Sequence, residues 1–359
     1  MIHFHSLQIK NIRRETEDCV SITFEVPEEL KDTFQFKQGQ SLTLRKKLNG
    51  EDIRRTYSIC SSPFDSSLRI AVKKVEGGIF SSYANESLKA GEFLDVMPPV
   101  GNFFTELDPK NKKNYVAFAA GSGITPVLSI IKTSLIAEPK SRFTLIFGNR
   151  SKSSIIFKEE LEALKDKFID RFRIYHILSR EQTDVEVNYG RIDIEKLEFF
   201  SKHLIALNSV NDFFLCGPES MIFCIKNFLL EKGIAQDKIH FELFTIPGVK
   251  QSAIKTTEIK KEDEGPKAKV KVKVDGILFD FELGFESASI LDAALKEGAD
   301  LPYACKGGVC TTCKARLLEG KVHMDVNWSL EPEELERGYI LTCQSHPESN
   351  NILVDFDAK

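Results

Sequence analysis

Residues 305–313 read Cys305-Lys306-Gly307-Gly308-Val309-Cys310-Thr311-Thr312-Cys313, and a fourth cysteine, Cys343, follows downstream. C-x4-C-x2-C…C is the spacing that wraps a two-iron, two-sulfide (2Fe-2S) cluster. Soft thiolates suit iron–sulfide clusters, and three ligands on one tight loop require small residues between them. Gly307 and Gly308 let the backbone wrap closely and aim amides at the sulfurs. Zinc is the alternative, but zinc knuckles pair their ligands, and the only further ligating side chain close to Cys343 in sequence is His346. The metal-ligand set is therefore Cys305, Cys310, Cys313 and Cys343. Cys19, Cys60, Cys216 and Cys224 are scattered through the earlier part of the chain.

Just before this loop, AKVKVKV-Asp275-Gly276-ILFDFEL is a hairpin signal, because Asp-Gly supplies the positive φ values of a type I′ turn. A helix is predicted at about 289–297, with Ser289 and Asp292 in capping-box spacing and Gly298 as its stop. Residues 267–359 thus form a small α+β domain that carries the cysteine set. Residues 247–266, PGVKQSAIKTTEIKKEDEGP, hold almost no large apolar side chains and read as a linker.

Upstream of the linker, residues 109–246 alternate short apolar strands with helical stretches. YVAFAA precedes GSGITP and VLSIIKTSLI, and FTLIFGN precedes SIIFKEELEALKDKF. RFRIYHIL follows, DFFLCGP leads into ESMIFCIKNFLLEKG, and KIHFELF closes the series. That alternation indicates a parallel α/β sheet covered on both faces. Residues 1–108 read as short strands broken by Gly and Pro, with one helix at 80–88, and suggest an antiparallel β-barrel. The fold class is multidomain: barrel, parallel α/β domain and β-grasp-like domain.

Composition narrows the function. Of 359 residues, 49 are basic and 53 acidic, a net charge of −4 that argues against a nucleic-acid binder. No apolar run is long enough to span a bilayer, and MIHFHSLQIKNIRRE lacks a signal-peptide core, so a cytoplasmic protein with no membrane partner and reduced thiols is expected. The segment 267–359 carries 11 basic and 16 acidic side chains. Such a domain could be steered toward a basic partner or held against its own chain. The run Glu331, Glu333, Glu334 and Glu336 reads as a solvated helix face.

A one-electron cluster needs a donor. Gly121-Ser122-Gly123-Ile124-Thr125-Pro126 follows an apolar strand and opens a helix, where small residues and a helix N-terminus admit a diphosphate. Leu215-Cys216-Gly217-Pro218 ends another predicted parallel strand, and open α/β sheets bind ligands at such ends. In the barrel, Arg55-Thr56-Tyr57-Ser58 ends a strand and Gly77-Gly78-Ile79-Phe80-Ser81-Ser82 precedes the helix. An Arg and a helix N-terminus can hold a pyrophosphate, and Tyr57 can lie against a flat ring. FTLIFGN runs into Arg150-Ser151-Lys152, with no acidic residue until Glu159. A basic residue there accepts the 2′-phosphate of NADPH, with the Ser151 hydroxyl as a further donor, whereas an acidic one would select NADH. NADPH is favoured, and NADH remains open if Arg150 only stacks on adenine.

RTYS, GGIFSS, GSGITP, CGP and the cysteine set occur in the order found in the ferredoxin–NADP reductase superfamily with a C-terminal plant-type ferredoxin domain. The chain resembles that superfamily over nearly its whole length. Within it, GNRSKSSIIFKEEL and MDVNWSLEPEELERGYILTCQSHP resemble the reductase subunits of phenylacetyl-CoA epoxidase systems. The resemblance implies an oxidoreductase that passes electrons from NADPH through FAD and a 2Fe-2S cluster to an oxygenase component of di-iron type. It implies that Arg55, Thr56, Tyr57 and Ser58 form the flavin motif, with Ser58 near the reactive flavin nitrogen. Gly78 and Ser81 match the second flavin phosphate motif, and Gly121, Thr125 and Pro126 match the nucleotide phosphate loop. Cys216, followed by Gly217 and Pro218, matches the residue flanking the nicotinamide, and Glu242 and Phe244 match the strand segment at the flavin. Ser58, Cys216 and Glu242 are thus the implied catalytic residues. Many relatives begin the phosphate loop with Gly-Gly, where this chain has Ala120-Gly121. Two rival functions share the residues: a reductase for another oxygenase, such as a Rieske-type ring hydroxylase, and a zinc-stabilised interaction protein.

Overall fold

The computed structural model describes residues 3–245, 247 and 265–358. Most of the linker expected at 247–266 lies outside the described residues.

The first sheet is antiparallel. Its strands are β1 (His5–Thr16), β2 (Cys19–Glu25), β3 (Ser41–Leu48), β4 (Glu51–Ser58), β5 (Leu68–Lys73) and β6 (Phe93–Val96), in the order β4-β3-β6-β1-β2-β5. A bridge between Ile59 and Ile70 joins the two outer strands and closes the barrel. Alternation decides which side chains enter: Leu7 and Ile9 of β1 are buried, with Ile22, Leu42, Leu44 and Val72 from the facing strands. Helix α1 (Ile79–Glu86) plugs one end through Phe80 and Ala84.

The second sheet is parallel. It contains β7 (Asn114–Ala120), β8 (Arg142–Asn149), β9 (Phe172–Leu178), β10 (Asp212–Cys216) and β11 (Ile239–Glu242), in the order β11-β10-β7-β8-β9. Its connecting helices are α2 (Ile124–Ala137), α3 (Lys158–Lys167), α4 (Ile194–His203) and α5 (Glu219–Glu231). Ala117, Leu145 and Phe214 face one apolar layer, while Phe118, Ile146 and Phe213 face the other. Burying each large side chain contributes about 1.5–3 kcal/mol, so this sheet is the chain's main core. The first layer continues into the barrel through Cys19, Cys60, Ala71 and Phe103.

One helix expectation needs correction, and one helix was not expected. The stretch SIIFKEELEALKDKF becomes helical only at Lys158. Ile155, Ile156 and Phe157 are instead buried in the core, and Phe157 takes φ +60 at the helix start. Core burial thus overrides helical propensity there. Helix α4 adds an element that the apolar pattern does not announce, because Ile194-Glu195-Lys196-Leu197-Glu198-Phe199-Phe200 buries only Leu197 and Phe200 among charged neighbours. Its start signal is present, since Asp193 caps the Lys196 amide at 3.1 Å.

The third sheet runs β13-β12-β18-β14-β16. Its members are β12 (Lys267–Val274), β13 (Ile277–Gly284), β14 (Lys314–Glu319), β16 (Tyr339–Leu341) and β18 (Asn351–Asp355). β12 and β18 are parallel and the other pairs antiparallel. β15 (Val322–Met324) pairs with β17 (Ser345–Pro347). Asp275 and Gly276 have φ of +53 and +75, as the type I′ reading requires. Helix α6 (Ile290–Lys296) starts with the Ser289 hydroxyl accepting from the Asp292 amide at 3.2 Å. The acidic run forms the short helix α7 (Pro332–Glu336), yet Glu334 is not solvated: it accepts from Asn102 of the barrel segment at 2.7 Å and from Lys314 at 2.7 Å.

Candidate functional site

One cavity of about 3060 Å³ lies where the three sheets approach one another. A ligand pocket for one small molecule is about 300–1,000 Å³, so this space suits more than one group. β4 ends at its wall with Ser58, and β11 ends there with Glu242. The Ser58 hydroxyl donates to Glu242 Oε2 at 2.9 Å. Parallel pairing sets Glu242 beside Cys216 on β10. Burial pushes Glu242 up to about 7; the Ser58 hydrogen bond works against that and the nearby Cys310 adds to it. Ser58, Glu242 and Cys310 therefore bring the barrel, the α/β sheet and the cysteine loop to one point.

Toward the barrel, Arg55, Thr56 and Tyr57 line the same cavity. Arg55 is exposed there, its guanidinium donating to the Arg54 carbonyl at 2.7 Å. Tyr57 packs on Phe80 with ring centroids 5.6 Å apart, and burial raises its phenol so that it stays protonated. No side chain caps the N-terminus of α1 at Gly78, which opens on the cavity wall. The Ser81 hydroxyl is committed to the turn, accepting from the Val75 amide at 3.1 Å and donating to the Gly78 carbonyl at 3.3 Å. An uncapped helix end, an exposed guanidinium and a flat, half-buried phenol fit a dinucleotide with a planar ring.

In the α/β sheet, β7 leads through a tight turn at Gly121–Gly123 into α2. Gly121 has φ +53, and a Cβ on Gly123 would lie 2.1 Å from the Cys216 carbonyl oxygen. Only glycine permits this approach of the loop to the end of β10. Thr125 closes the turn by donating to the Ser122 carbonyl at 2.9 Å, and Pro126 is buried in the first turn of α2, where its missing N–H costs nothing. Cys216 is fully buried, which holds its thiol well above the ordinary value. Gly217 and Pro218 carry the chain into α5. Phe244, just past β11, is exposed at the cavity.

Arg150 and Ser151 stand apart, at the end of β8 and outside this cavity. The Arg150 side chain makes no hydrogen bond or ion pair among the described residues, so it is available to a ligand. Ser151 is less so: its hydroxyl caps the following turn and lies 3.0 Å from the Ser153 hydroxyl. The sequence shows no acid between Arg150 and Glu159, but the fold supplies one. Glu181, from the segment after β9, accepts from the Lys152 amide at 2.7 Å.

The four cysteines converge. Cys305 and Cys310 have sulfurs 3.1 Å apart, and the Thr342 hydroxyl and amide both donate to the Cys313 carbonyl, at 2.9 and 3.3 Å, which sets Cys343 beside Cys313. No three His, Cys, Asp or Glu side chains surround a single metal-ion position among the described residues. Two neighbouring thiol pairs, Cys305 with Cys310 and Cys313 with Cys343, suit the two irons of a 2Fe-2S cluster. The Gly307 amide donates to Cys305 Sγ at 3.3 Å, and Gln344 Nε2 approaches Cys343 Sγ at 3.7 Å while donating to the Lys306 carbonyl at 3.0 Å. Such donors favour thiolate and added negative charge. Gln344 gives no signal in the sequence, where a glutamine carries no motif. Trp328, within the MDVNWSL stretch, meets Phe223 of α5 with ring centroids 6.0 Å apart and seats the cysteine domain on the α/β sheet.

Family models cover the same three regions: an oxidoreductase FAD-binding domain over 6–105, an oxidoreductase NAD-binding domain over 118–227 and a 2Fe-2S iron-sulfur cluster binding domain over 272–348. The chain belongs to the family of NAD(P)H-dependent reductases that join these three domains. It is 45% identical over 361 residues to one of the subunits of the 1,2-phenylacetyl-CoA epoxidase of Escherichia coli (strain K12), covering 100% of this chain and 99% of that one. It is 33% identical to the ferredoxin reductase component of 3-ketosteroid-9-alpha-monooxygenase from Rhodococcus rhodochrous, over 98% and 96% of the two chains. The solved structure of phthalate dioxygenase reductase shares the fold, with a TM-score of 0.60, 23% identity and 98% of each chain covered. Among the described residues no helix is long and apolar enough to cross a membrane.

Proposed function

We propose that this chain is the reductase of a multicomponent oxygenase, taking electrons from NADPH and delivering them singly to a di-iron oxygenase of the phenylacetyl-CoA epoxidase type. The observation that carries the reading is the meeting of Ser58, Glu242 and Cys310 at one cavity. When bound, the nicotinamide supplies a hydride, the flavin divides the pair, and the cluster carries one electron at a time. The chain's own residues bind and orient. Arg55 and the open end of α1 at Gly78 hold the FAD diphosphate, Ser81 shapes that turn, and Tyr57 backs the flavin ring, with Thr56 beside it. Ser58 and Glu242 place a hydroxyl and a carboxyl at the reacting edge. Gly121, Thr125 and Pro126 form the nucleotide phosphate loop. Cys216, Gly217 and Pro218 flank the nicotinamide, and Phe244 covers the flavin from the end of β11. Cys305, Cys310, Cys313 and Cys343 ligate the cluster. Arg150 takes the 2′-phosphate, with Ser151 shaping its turn.

Glu181 favours a second reading of the nucleotide site. Its carboxylate beside Lys152 could accept from a ribose hydroxyl, which would make NADH a competent donor. The identity of the 45% relative supports the epoxidase assignment. A turnover assay tests it: the purified holoprotein, NADPH and the oxygenase subunits of an epoxidase or of a Rieske-type ring hydroxylase are combined in separate arms. Coupled product formation in the epoxidase arm is expected. Product only with the ring hydroxylase would move the chain to the other system.

A further inference from the structure

Arg54 adjoins Arg55 on β4, yet strand alternation sends the two opposite ways: Arg55 is exposed and Arg54 is 7% exposed. So buried an arginine must be satisfied by partners. Two contacts are local, with Nε and Nη2 donating to Asp52 Oδ2 at 3.2 and 3.1 Å. Others come from the cysteine domain, where Asp300 Oδ1 also lies 3.9 Å from Nη2. Nη1 donates to the Leu301 carbonyl at 3.2 Å, and the guanidinium lies 4.1 Å from the centroid of the Tyr303 ring. Phe4 approaches it at 5.2 Å, and Lys306 approaches the Tyr303 ring at 4.8 Å. Leu301 and Tyr303 lead directly into Cys305.

A second contact lies on the other side of the cysteine loop. Thr43 of β3, fully buried, shares a hydrogen bond with Thr312 at 3.0 Å and lies 3.3 Å from the Thr56 hydroxyl. Thr312 stands in the cysteine loop itself, between Cys310 and Cys313. The barrel therefore holds the loop just before Cys305 and just after Cys310. Of these contacts, Arg54 supplies the one charged hydrogen bond and the planar stacking surface.

We propose that Arg54 is a positioning residue that clamps the cysteine loop to the barrel and so sets the separation of the flavin site from the cluster. A lysine cannot replace it, having neither the flat face nor the fork. The electron-transfer consequence rests on the proposed function; the clamp itself does not.

The test uses holoprotein carrying Arg54→Met, Arg54→Lys or Tyr303→Phe, with two readouts. Hydrogen exchange of the amides at 299–306 reports the clamp directly. Stopped-flow mixing with NADPH separates flavin bleaching from the later bleaching of the cluster. In Arg54→Met, exchange is expected to rise about tenfold or more, the worth of a charged hydrogen bond. Cluster bleaching slows while flavin bleaching is unchanged. Arg54→Lys recovers only part, and Tyr303→Phe, which keeps the ring, behaves as wild type. Unaltered exchange and cluster bleaching in Arg54→Met would overturn the proposal, as would flavin bleaching that slows in step. If Arg54→Met does not fold, Thr43→Val removes one hydroxyl from the same seam, and unaltered exchange at 311–313 would count equally against it. A wild-type cluster that never accepts electrons, with the exchange difference intact, would refute the functional reading and leave the clamp standing.

Discussion

Replacing Arg150 by alanine should separate the two nicotinamide nucleotides. The side chain is exposed at the end of β8 and has no partner among the described residues, so its removal breaks no native contact. Whatever is lost is therefore lost from ligand binding. A hydrogen bond to a charged group is worth about 1.5–3 kcal/mol. Solvent screening at an exposed site pulls the value toward the lower end, which corresponds to roughly a tenfold rise in Kd for NADPH. NADH lacks the 2′-phosphate and should bind almost unchanged. Titration of both nucleotides against wild type and Arg150→Ala measures the difference, and repeating it at higher salt should shrink the NADPH effect as screening grows. Equal losses for the two nucleotides would remove Arg150 from the phosphate site. A wild type that prefers NADH would refute the assignment and point to Glu181.

Other expectations can be measured in the same preparations. Cys310→Ser should deplete the cluster, read as iron and labile sulfide, while NADPH still reduces ferricyanide through the flavin. Gly123→Ala should cut NADPH reduction of the flavin sharply, because the added Cβ would sit 2.1 Å from the Cys216 carbonyl oxygen, and FAD should stay bound. Glu160, which receives two hydrogen bonds from Arg69 of the barrel and one from Lys132, joins the barrel to the α/β sheet. Glu160→Gln should cost about 1–3 kcal/mol, between exposed and buried pairs, and lower the temperature of flavin release. Burial alone would raise the Glu160 carboxyl, but Arg69 and Lys132 hold it below its ordinary value of 4.5. Its contribution is thus complete above that value and lost as pH falls through the lower folded one. Acidification should lower the wild-type midpoint over that range, and Glu160→Gln should lack that component.

The sequence carries the architecture where local chemistry is self-contained. Asp275-Gly276, Ser289 with Asp292, and the alternation of apolar runs with helices each state their own geometry. The four cysteines announce their cluster because ligand spacing along the chain is itself the signal. What stays hidden depends on residues distant in sequence. Glu181 reaches the end of β8 only because β9 lies beside it in the sheet. Arg54 has no signal of its own in the sequence, because its burial arises from packing against Tyr303 across the seam. Glu334 looks like one more solvated acid until the fold sets Asn102 beside it. Helix α4 escapes a reading by periodicity because its buried face is only two residues wide.

The central claim is that one chain carries electrons from a nicotinamide nucleotide to a 2Fe-2S cluster through a flavin. Anaerobic titration of the purified holoprotein with NADPH, followed by visible absorption and by electron paramagnetic resonance at low temperature, tests it most directly. Bleaching of the flavin accompanied by the signal of a reduced 2Fe-2S cluster is the expected result. Flavin bleaching with no cluster signal, in protein that contains zinc instead of iron and sulfide, would contradict it.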